Sequence, residues 1–165
     1  MNDSNLESEP NVRSDCYSVV HSTAICPHCR GRTRVAALLV PPGHQTRRLD
    51  DDDDGWDRAP RQALLFYVES LPEPVRRRLQ QLAPLYRLAA SPATQGSYWA
   101  NHCERCGSTQ EDHDLFCEPQ GAFVPLSSAA AAAAAVEVVP IAEPLEAGAA
   151  GYTLDPDFMG SEPRA

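Results

Sequence analysis

The sequence predicts an α+β fold, in which a small β base carries two Cys-x-x-Cys turns and a segment of strands and one helix is inserted between them. The two turns are Cys26 to Cys29 and Cys103 to Cys106, and they stand far apart in the chain. β-Branched and aromatic residues lie beside both turns, as expected of strands. The intervening segment also contains apolar residues at helical spacing.

The first turn is predicted to form the tip of a β-hairpin. Residues 17–25 are rich in β-branched and aromatic side chains, which favour a strand. Thr33 to Val40 is also largely apolar and is predicted to be the returning strand. Pro41-Pro42-Gly43 follows it and marks the end of the hairpin.

The segment between the turns is predicted to hold a helix between strands. A helix over residues 72–83 follows from Val75, Leu79 and Leu82, because spacings of four and three place them on one face. Residues 109–116 fit either a short helix or a returning strand. Short apolar or aromatic runs favour strands at three places, residues 63–68, 85–89 and 97–101, although residues 63–68 also fit a buried helix.

Composition divides the chain into one domain and two tails. Residues 1–14 are polar and acidic, which predicts a disordered N-terminal tail. The domain is expected over residues 15–126, and five consecutive aspartates make its segment 44–61 a solvated acidic loop. Residues 127–165, with an alanine run and many proline, glutamate and glycine residues, predict a flexible tail. Within it, residues 136–141 fit either a partner-binding strand or a spacer, and the spacer is favoured.

The paired cysteines predict a metal site. Four thiolates that arrive as two close pairs suit one tetrahedral Zn²⁺, since each pair curls around the metal and donates two sulfurs. Gly31 and Gly107, just after the two pairs, are expected to permit the tight turns. A shell of four cysteines leaves no open position, so the zinc is predicted to be structural and the protein not to be an enzyme. The predicted ligands are Cys26, Cys29, Cys103 and Cys106.

Two further cysteines, Cys16 and Cys117, lie outside the pairs. They are expected to be buried free thiols, and the alternatives are a second partial site with histidines or replacement ligands for the first. The histidines His28, His102 and His113 lie in or near the turns. They are predicted to face solvent or to support the metal ligands, not to bind the metal themselves.

A redox function is a competing hypothesis. Cys26-Pro27-His28-Cys29 matches the active tetrapeptide of bacterial periplasmic disulfide oxidases with the thioredoxin fold, where the first cysteine lies at a helix N-terminus. Here Arg30-Gly31 and β-branched residues follow, where that helix would have to begin. A thiol–disulfide oxidoreductase is therefore the least favoured of the functions considered.

Nucleic-acid binding is the second hypothesis. Arginines could contact phosphates and aromatic side chains could stack on bases. Against this, the net charge is −9, and the domain without its acidic loop is close to neutral, so the chain creates no strong field that attracts polyanions. The residues concerned are Arg30, Arg32, Arg34, the cluster Arg76 to Arg78, Tyr98 and Trp99.

The sequence gives no sign of a membrane or secreted protein. The first residues have neither a basic start nor an apolar stretch, and no apolar run approaches the roughly 20 residues that span a bilayer. We therefore expect a cytoplasmic protein with no membrane partner. In a reducing compartment, paired cysteines favour metal over disulfides.

The stretch from Ser97 to Gly107, with Gly121-Ala122-Phe123 downstream, resembles a group of small bacterial proteins of unknown function. In them an aromatic-Asn-x-Cys-x-x-Cys-Gly segment pairs with an earlier Cys-x-x-Cys followed by a Thr-x-Val strand, here Cys26 to Cys29 and Thr33-Arg34-Val35. The resemblance covers residues 16–126 and implies a zinc-ribbon-like base without an established activity. The sequence thus predicts a structural-zinc adaptor module with a protein partner, and it indicates no oligomeric state.

Overall fold

The computed structural model describes residues 10–47, 55–90, 96–112, 115 and 137–154. Over these residues the chain forms an eleven-stranded sheet in which every described strand pair is antiparallel. The strands are β1 Val12–Ser14, β2 Tyr17–Ile25, β3 Arg32–Val40, β4 Gln45–Thr46, β5 Asp57–Arg58, β6 Ala63–Ser70, β7 Tyr86–Ala90, β8 Ser97–His102, β9 Thr109–Gln110, β10 Glu137–Ile141 and β11 Leu145–Leu154, and helix α1 spans Glu73–Leu82. The predicted α+β class was wrong, because strands make up most of this part of the chain.

The local predictions around the cysteine turns agree with these bounds. Strands β2, β3, β6, β7 and β8 fall where strands were predicted, and α1 lies within the predicted helix. Helix α1 follows Pro72, which is extended, and its buried residues are Val75 and Leu79. Apolar spacing therefore identified the face of the helix that meets the sheet.

The sheet follows the order β10–β2–β3–β6–β11–β1–β4–β5, and β8 joins it through β6 while pairing with β7 and β9. Strand β6 has two partners along one edge. Residues 63–65 pair with β3, and Val68 pairs with Trp99 of β8. Between these contacts Tyr67 has a φ of 51°, a conformation that non-glycine residues seldom adopt and that bends a strand. The bend directs β6 from β3 towards β8.

The two faces of the sheet have separate apolar clusters. On one face Val19, Leu38 and Leu65 lie in the cluster that contains Val75 and Leu79 of α1. Burial of such a side chain contributes about 1.5–3 kcal/mol, so the helix is held mainly by this contact. The other face has its own buried set, consisting of Val20, Val35, Ala37, Leu39, Leu64 and Leu115.

The predicted tails contribute three strands to the sheet. β1 pairs with β11 and β4, so the prediction of a disordered N-terminal tail was wrong for residues 12–14. β10 pairs with β2 and β11 pairs with β6, so the flexible-tail prediction was wrong for residues 137–154. For residues 136–141 the favoured spacer was wrong, because most of this segment forms β10, which pairs with β2 of the same chain. The alanine run and the other ends of the predicted tails lie outside the described residues.

The acidic loop 44–61 is structured at both of its ends. β4 and β5 pair with each other there, and β4 also pairs with β1. Trp56 lies beside them, with the guanidinium carbons of Arg13 and Arg47 at 4.2 and 4.8 Å from its ring centroid. Such cation–π contacts contribute about 0.5–1 kcal/mol each where solvent is near. The aspartate run itself lies outside the described residues.

A buried carboxylate supports the bend in β6. Asp112 is 1% exposed, and its Oδ2 accepts a hydrogen bond of 2.7 Å from the backbone N–H of Tyr67. Its other oxygen, Oδ1, has no hydrogen-bond partner among the described residues. Burial raises the pKa of Asp112 to about 7, and the nearby carboxylate of Glu111 acts in the same direction.

The raised pKa of Asp112 predicts a pH-dependent stability. The unfolded chain releases this proton near pH 4 and the folded protein only near pH 7, so the folded state binds more protons between these values and loses stability as pH rises. The substitution Asp112→Asn removes this loss. Urea unfolding should show that the stability of the variant relative to wild type increases by about 2–4 kcal/mol from pH 4 to pH 8. Asp57→Asn, at an exposed position in β5, should show no such change, and an equal change in both variants would contradict the assignment to Asp112.

Candidate metal centre

The first cysteine turn is a closed loop at the tip of the β2–β3 hairpin. The N–H of Arg30 donates to the carbonyl of Cys26 at 2.8 Å, and the N–H of Cys26 donates to the carbonyl of Gly31 at 2.9 Å. The N–H groups of His28 and Gly31 point at the sulfurs of Cys26 and Cys29, each at 3.4 Å. Backbone donors thus surround the position where thiolate charge would form.

The second turn, between β8 and β9, repeats this arrangement. The N–H of Gly107 donates to the carbonyl of Cys103 at 2.9 Å, and the N–H of Cys103 donates to the carbonyl of Ser108 at 2.8 Å. The N–H of Arg105 lies 3.4 Å from the sulfur of Cys103. The two turns therefore have equivalent hydrogen bonds at equivalent positions, although their sequences share only the cysteines.

The glycines have different roles in the two turns. The residue after the second cysteine has a positive φ in both, 60° at Arg30 and 78° at Gly107. Gly31, which was expected to permit the first turn, instead permits close packing. A Cβ atom at Gly31 would lie 2.5 Å from Cδ of Arg105 in the other turn. The left-handed position in the first turn is held by an arginine.

The four predicted ligands come together. The sulfur of Cys26 is 3.6 Å from that of Cys106, the sulfur of Cys29 is 3.7 Å from that of Cys103, and all four sulfurs lie within 4.8 Å of one another. All four cysteines are free thiols. A tetrahedron with metal–sulfur bonds of about 2.3 Å has edges of roughly 3.8 Å. The four cysteines could therefore hold one metal ion.

Two side chains fix one turn against the other. The amide of Asn101 in β8 accepts from the N–H of Ala36 at 2.7 Å and donates to the carbonyl of Ala36 at 2.9 Å. Thr33 Oγ1 in β3 accepts from the N–H of Glu104 at 3.0 Å. Asn101 thus supplies the hydrogen bonds that a neighbouring strand would give to β3. Sequence reasoning noted Asn101 and Thr33 only as parts of a motif, since nothing local reveals their partners.

Hydrogen bonds to sulfur shift the acidities of the thiols. Donation from the N–H groups of Cys29 and His28 and from the amide of Gln110 lowers the pKa of Cys26 to about 6. The N–H groups of Cys106 and Arg105 lower the pKa of Cys103. At Cys29 the N–H of Gly31 acts in the same direction, but burial and the neighbouring thiols prevail and raise the pKa to about 11. The four sulfurs compete for protons that a divalent cation would replace.

The other cysteines and the histidines lie outside the cluster. Cys16 is exposed, so its predicted burial was wrong, and Cys117 and His113 lie outside the described residues. His28 is exposed, whereas His102 is buried and its Nδ1 lies 3.0 Å from the carbonyl oxygen of Leu85. Within the described part of the chain, the group of possible metal ligands consists of the four cysteines.

The positions of the residues proposed for nucleic-acid binding and for thiol–disulfide exchange do not favour either function. Tyr98 and Trp99 are 3% and 9% exposed, so neither ring is available to stack on a base. Arg77 pairs with Glu73 and Arg78 pairs with Glu143. The first turn leads into strand β3 and not into a helix, so it lacks the helix N-terminus of the redox tetrapeptide.

No protein-family model matches the chain, and comparison with curated proteins and with solved structures finds no match. The resemblance to small bacterial proteins with a zinc-ribbon-like site therefore gains no support from these comparisons. In the described segments no helix is long and apolar enough to cross a membrane.

Opposite effects are predicted for glycine at two positions near the first turn. Arg30→Gly relieves a left-handed arginine that costs about 1–2 kcal/mol, so it should stabilise the protein by about 0.5–1 kcal/mol after the entropy cost of glycine. Arg32→Gly lies in a strand and should destabilise by about the same amount. Urea unfolding of the two variants checks this, and equal losses of stability would contradict it.

The amide of Asn101 is predicted to be essential for stability. Asn101→Leu removes both partners of Ala36, whose backbone is buried, and should cost about 2–4 kcal/mol in the free energy of unfolding. Ser97→Ala, at an exposed position of the same strand, should change it by less than about 0.5 kcal/mol. Denaturant unfolding compares the two, and a loss below about 0.5 kcal/mol for Asn101→Leu would refute the assigned role.

Proposed function

We propose that this protein is a non-enzymatic binding or adaptor module built around one structural Zn²⁺, with Cys26, Cys29, Cys103 and Cys106 as ligands and another protein as its partner. The observation that carries the metal assignment is the spacing of the sulfurs between the two turns, 3.6 and 3.7 Å. These distances match the edges of a tetrahedral zinc–thiolate site. The metal would hold the tips of the β2–β3 and β8–β9 hairpins together.

The choice of zinc follows from the donor set. Four thiolates suit Zn²⁺ among the divalent ions, and four protein ligands leave no position for a substrate or an activated water. A structural and not a catalytic site is the consequence. Binding would release the protons that the thiols still carry, so the affinity for zinc should fall as the pH is lowered.

Charge around the turns supports a protein partner over a nucleic acid. One Zn²⁺ with four thiolates carries a net charge of −2. Arg30 and Arg105 lie in the two cysteine turns, are exposed and form no ion pair with the described residues. Their charge would balance that of the metal centre. Little positive field then remains to attract phosphates.

Metal analysis of the purified protein tests the zinc assignment. We expect one zinc per chain in the wild type and a loss of zinc in Cys103→Ser, with a lower unfolding temperature. Cys16→Ser, which alters an exposed cysteine outside the cluster, should retain zinc and stability. Zinc that is unchanged in Cys103→Ser would rule out the four-cysteine site.

The two competing functions, nucleic-acid binding and disulfide reduction, are each tested by a separate measurement. We expect no binding of single- or double-stranded DNA or RNA at low salt, where electrostatic affinity is greatest. We also expect no reduction of a test disulfide by the zinc-loaded protein. Salt-dependent nucleic-acid binding would replace the adaptor proposal with the second hypothesis, and disulfide reduction would replace it with the third.

A further inference from the structure

One face of the sheet is left open between the end of helix α1 and the cysteine turns. Residues directly opposite in an antiparallel pair share a face, so His21 lies beside Ala36, and Thr23 beside Arg34. The ten residues of α1 extend about 15 Å, whereas the nine of β2 extend roughly 30 Å. The helix packs with Val19 and Leu38 on this face, and its last residue, Leu82, lines a cavity with His21 and Ala36. The part of the face nearer the turns is therefore not covered by the helix.

Two adjoining cavities occupy the open half. Their volumes are about 330 Å³ and about 240 Å³, and both are lined by His21, Arg34 and Glu104. The larger cavity is polar and also contacts Thr23 and Arg32. The smaller one is lined mainly by apolar residues from β3, from the end of α1, from the connection that follows it and from the start of β7, namely Val35, Ala36, Leu82, Ala83, Pro84, Leu85 and Tyr86. Together they form a groove with a polar end and an apolar end.

The polar end contains groups without protein partners. His21 is 6% exposed, and its ring forms no hydrogen bond with another residue that the structure describes. Arg34 is paired with Glu137, whereas Arg32 and Glu104 form ion pairs neither with each other nor elsewhere in the described ranges. The groove thus offers one buried imidazole, one free cation and one free anion.

We propose that this groove binds an α-amino acid with an apolar side chain. Arg32 holds the carboxylate through its two parallel N–H donors, and Glu104 accepts from the ammonium group. The side chain enters the apolar cavity beside Leu82 and Leu85. His21 supplies the remaining polar contact at the junction of the two cavities.

The charges of the groove select a zwitterion. Arg32 and Arg34 are balanced by Glu104 and Glu137, so the lining has no net charge. Arg34 and Glu137 already pair with each other, so a simple anion would leave Glu104 without a partner and a simple cation would leave Arg32 without one. A ligand with both charges satisfies Arg32 and Glu104 together. The apolar cavity favours leucine, methionine or phenylalanine over polar amino acids.

Nuclear magnetic resonance titration of the full-length protein tests this site. Leucine, methionine and phenylalanine are added to about 10 mM, well above the range of weak dissociation constants near 1 mM. We expect at least one of them to give saturable shifts in the amide signals of Thr33 and Ala36 and in the ring signals of His21. N-acetyl-leucine and leucine amide each lack one charge and should bind at least about tenfold more weakly.

Three charge variants, each to glutamine, sharpen the test. Arg32→Gln and Glu104→Gln should each weaken binding about tenfold, whereas Arg58→Gln, at an exposed position in β5, should bind as the wild type does. Zinc content measured on the same samples separates this site from the metal centre. A folded protein with one zinc and no shifts from any of the three amino acids would overturn the amino-acid site alone. Equal binding of leucine and its two neutralised analogues would also overturn it.

Discussion

Strand β6 exchanges one neighbour for another at its bend, and the positions of both cysteine turns follow from that exchange. Up to Leu65 the strand pairs with β3, and from Val68 it pairs with β8. The outer half of β3 is consequently left without β6. The amide of Asn101 takes the place of the missing strand by bonding both backbone groups of Ala36. This brings the end of β8, and with it the second turn, against the tip of the β2–β3 hairpin.

The four-cysteine cluster is therefore assembled by the sheet, independently of any metal ion that it could hold. The two cysteine pairs are distant in sequence, and closing so long a loop in a flexible chain has an entropic cost. Pairing of β6 with β3 and β8 already closes most of it, and Thr33 adds a direct bond to the second turn. Zinc would then bind a nearly assembled set of thiols. The close approach of the Arg105 side chain to Gly31 shows that the two turns also pack against each other.

Two polar residues, Asp112 and His21, are buried for different reasons. Asp112 bonds the N–H of Tyr67 at the bend, so its carboxylate serves the geometry of β6. His21 has no comparable partner among the described residues and faces the open groove. The fold alone explains the burial of Asp112. The burial of His21 is the feature that a ligand bound in the groove would explain.

The sequence by itself determined the local structure: strands β2, β3 and β8, helix α1 and the four cysteines of the candidate site. Periodicity and spacing report on neighbours a few residues away, which is why these predictions agree with the structure. The fold class depended on distant pairings. β10 has three β-branched residues but contains Pro140, which only an edge strand tolerates, and β11 is rich in alanine and glycine, which have weak strand propensity. They become strands because β2 and β6 satisfy their backbone hydrogen-bonding groups. Tertiary structure alone likewise decided which backbone groups Asn101 bonds and that His21 lies in the groove.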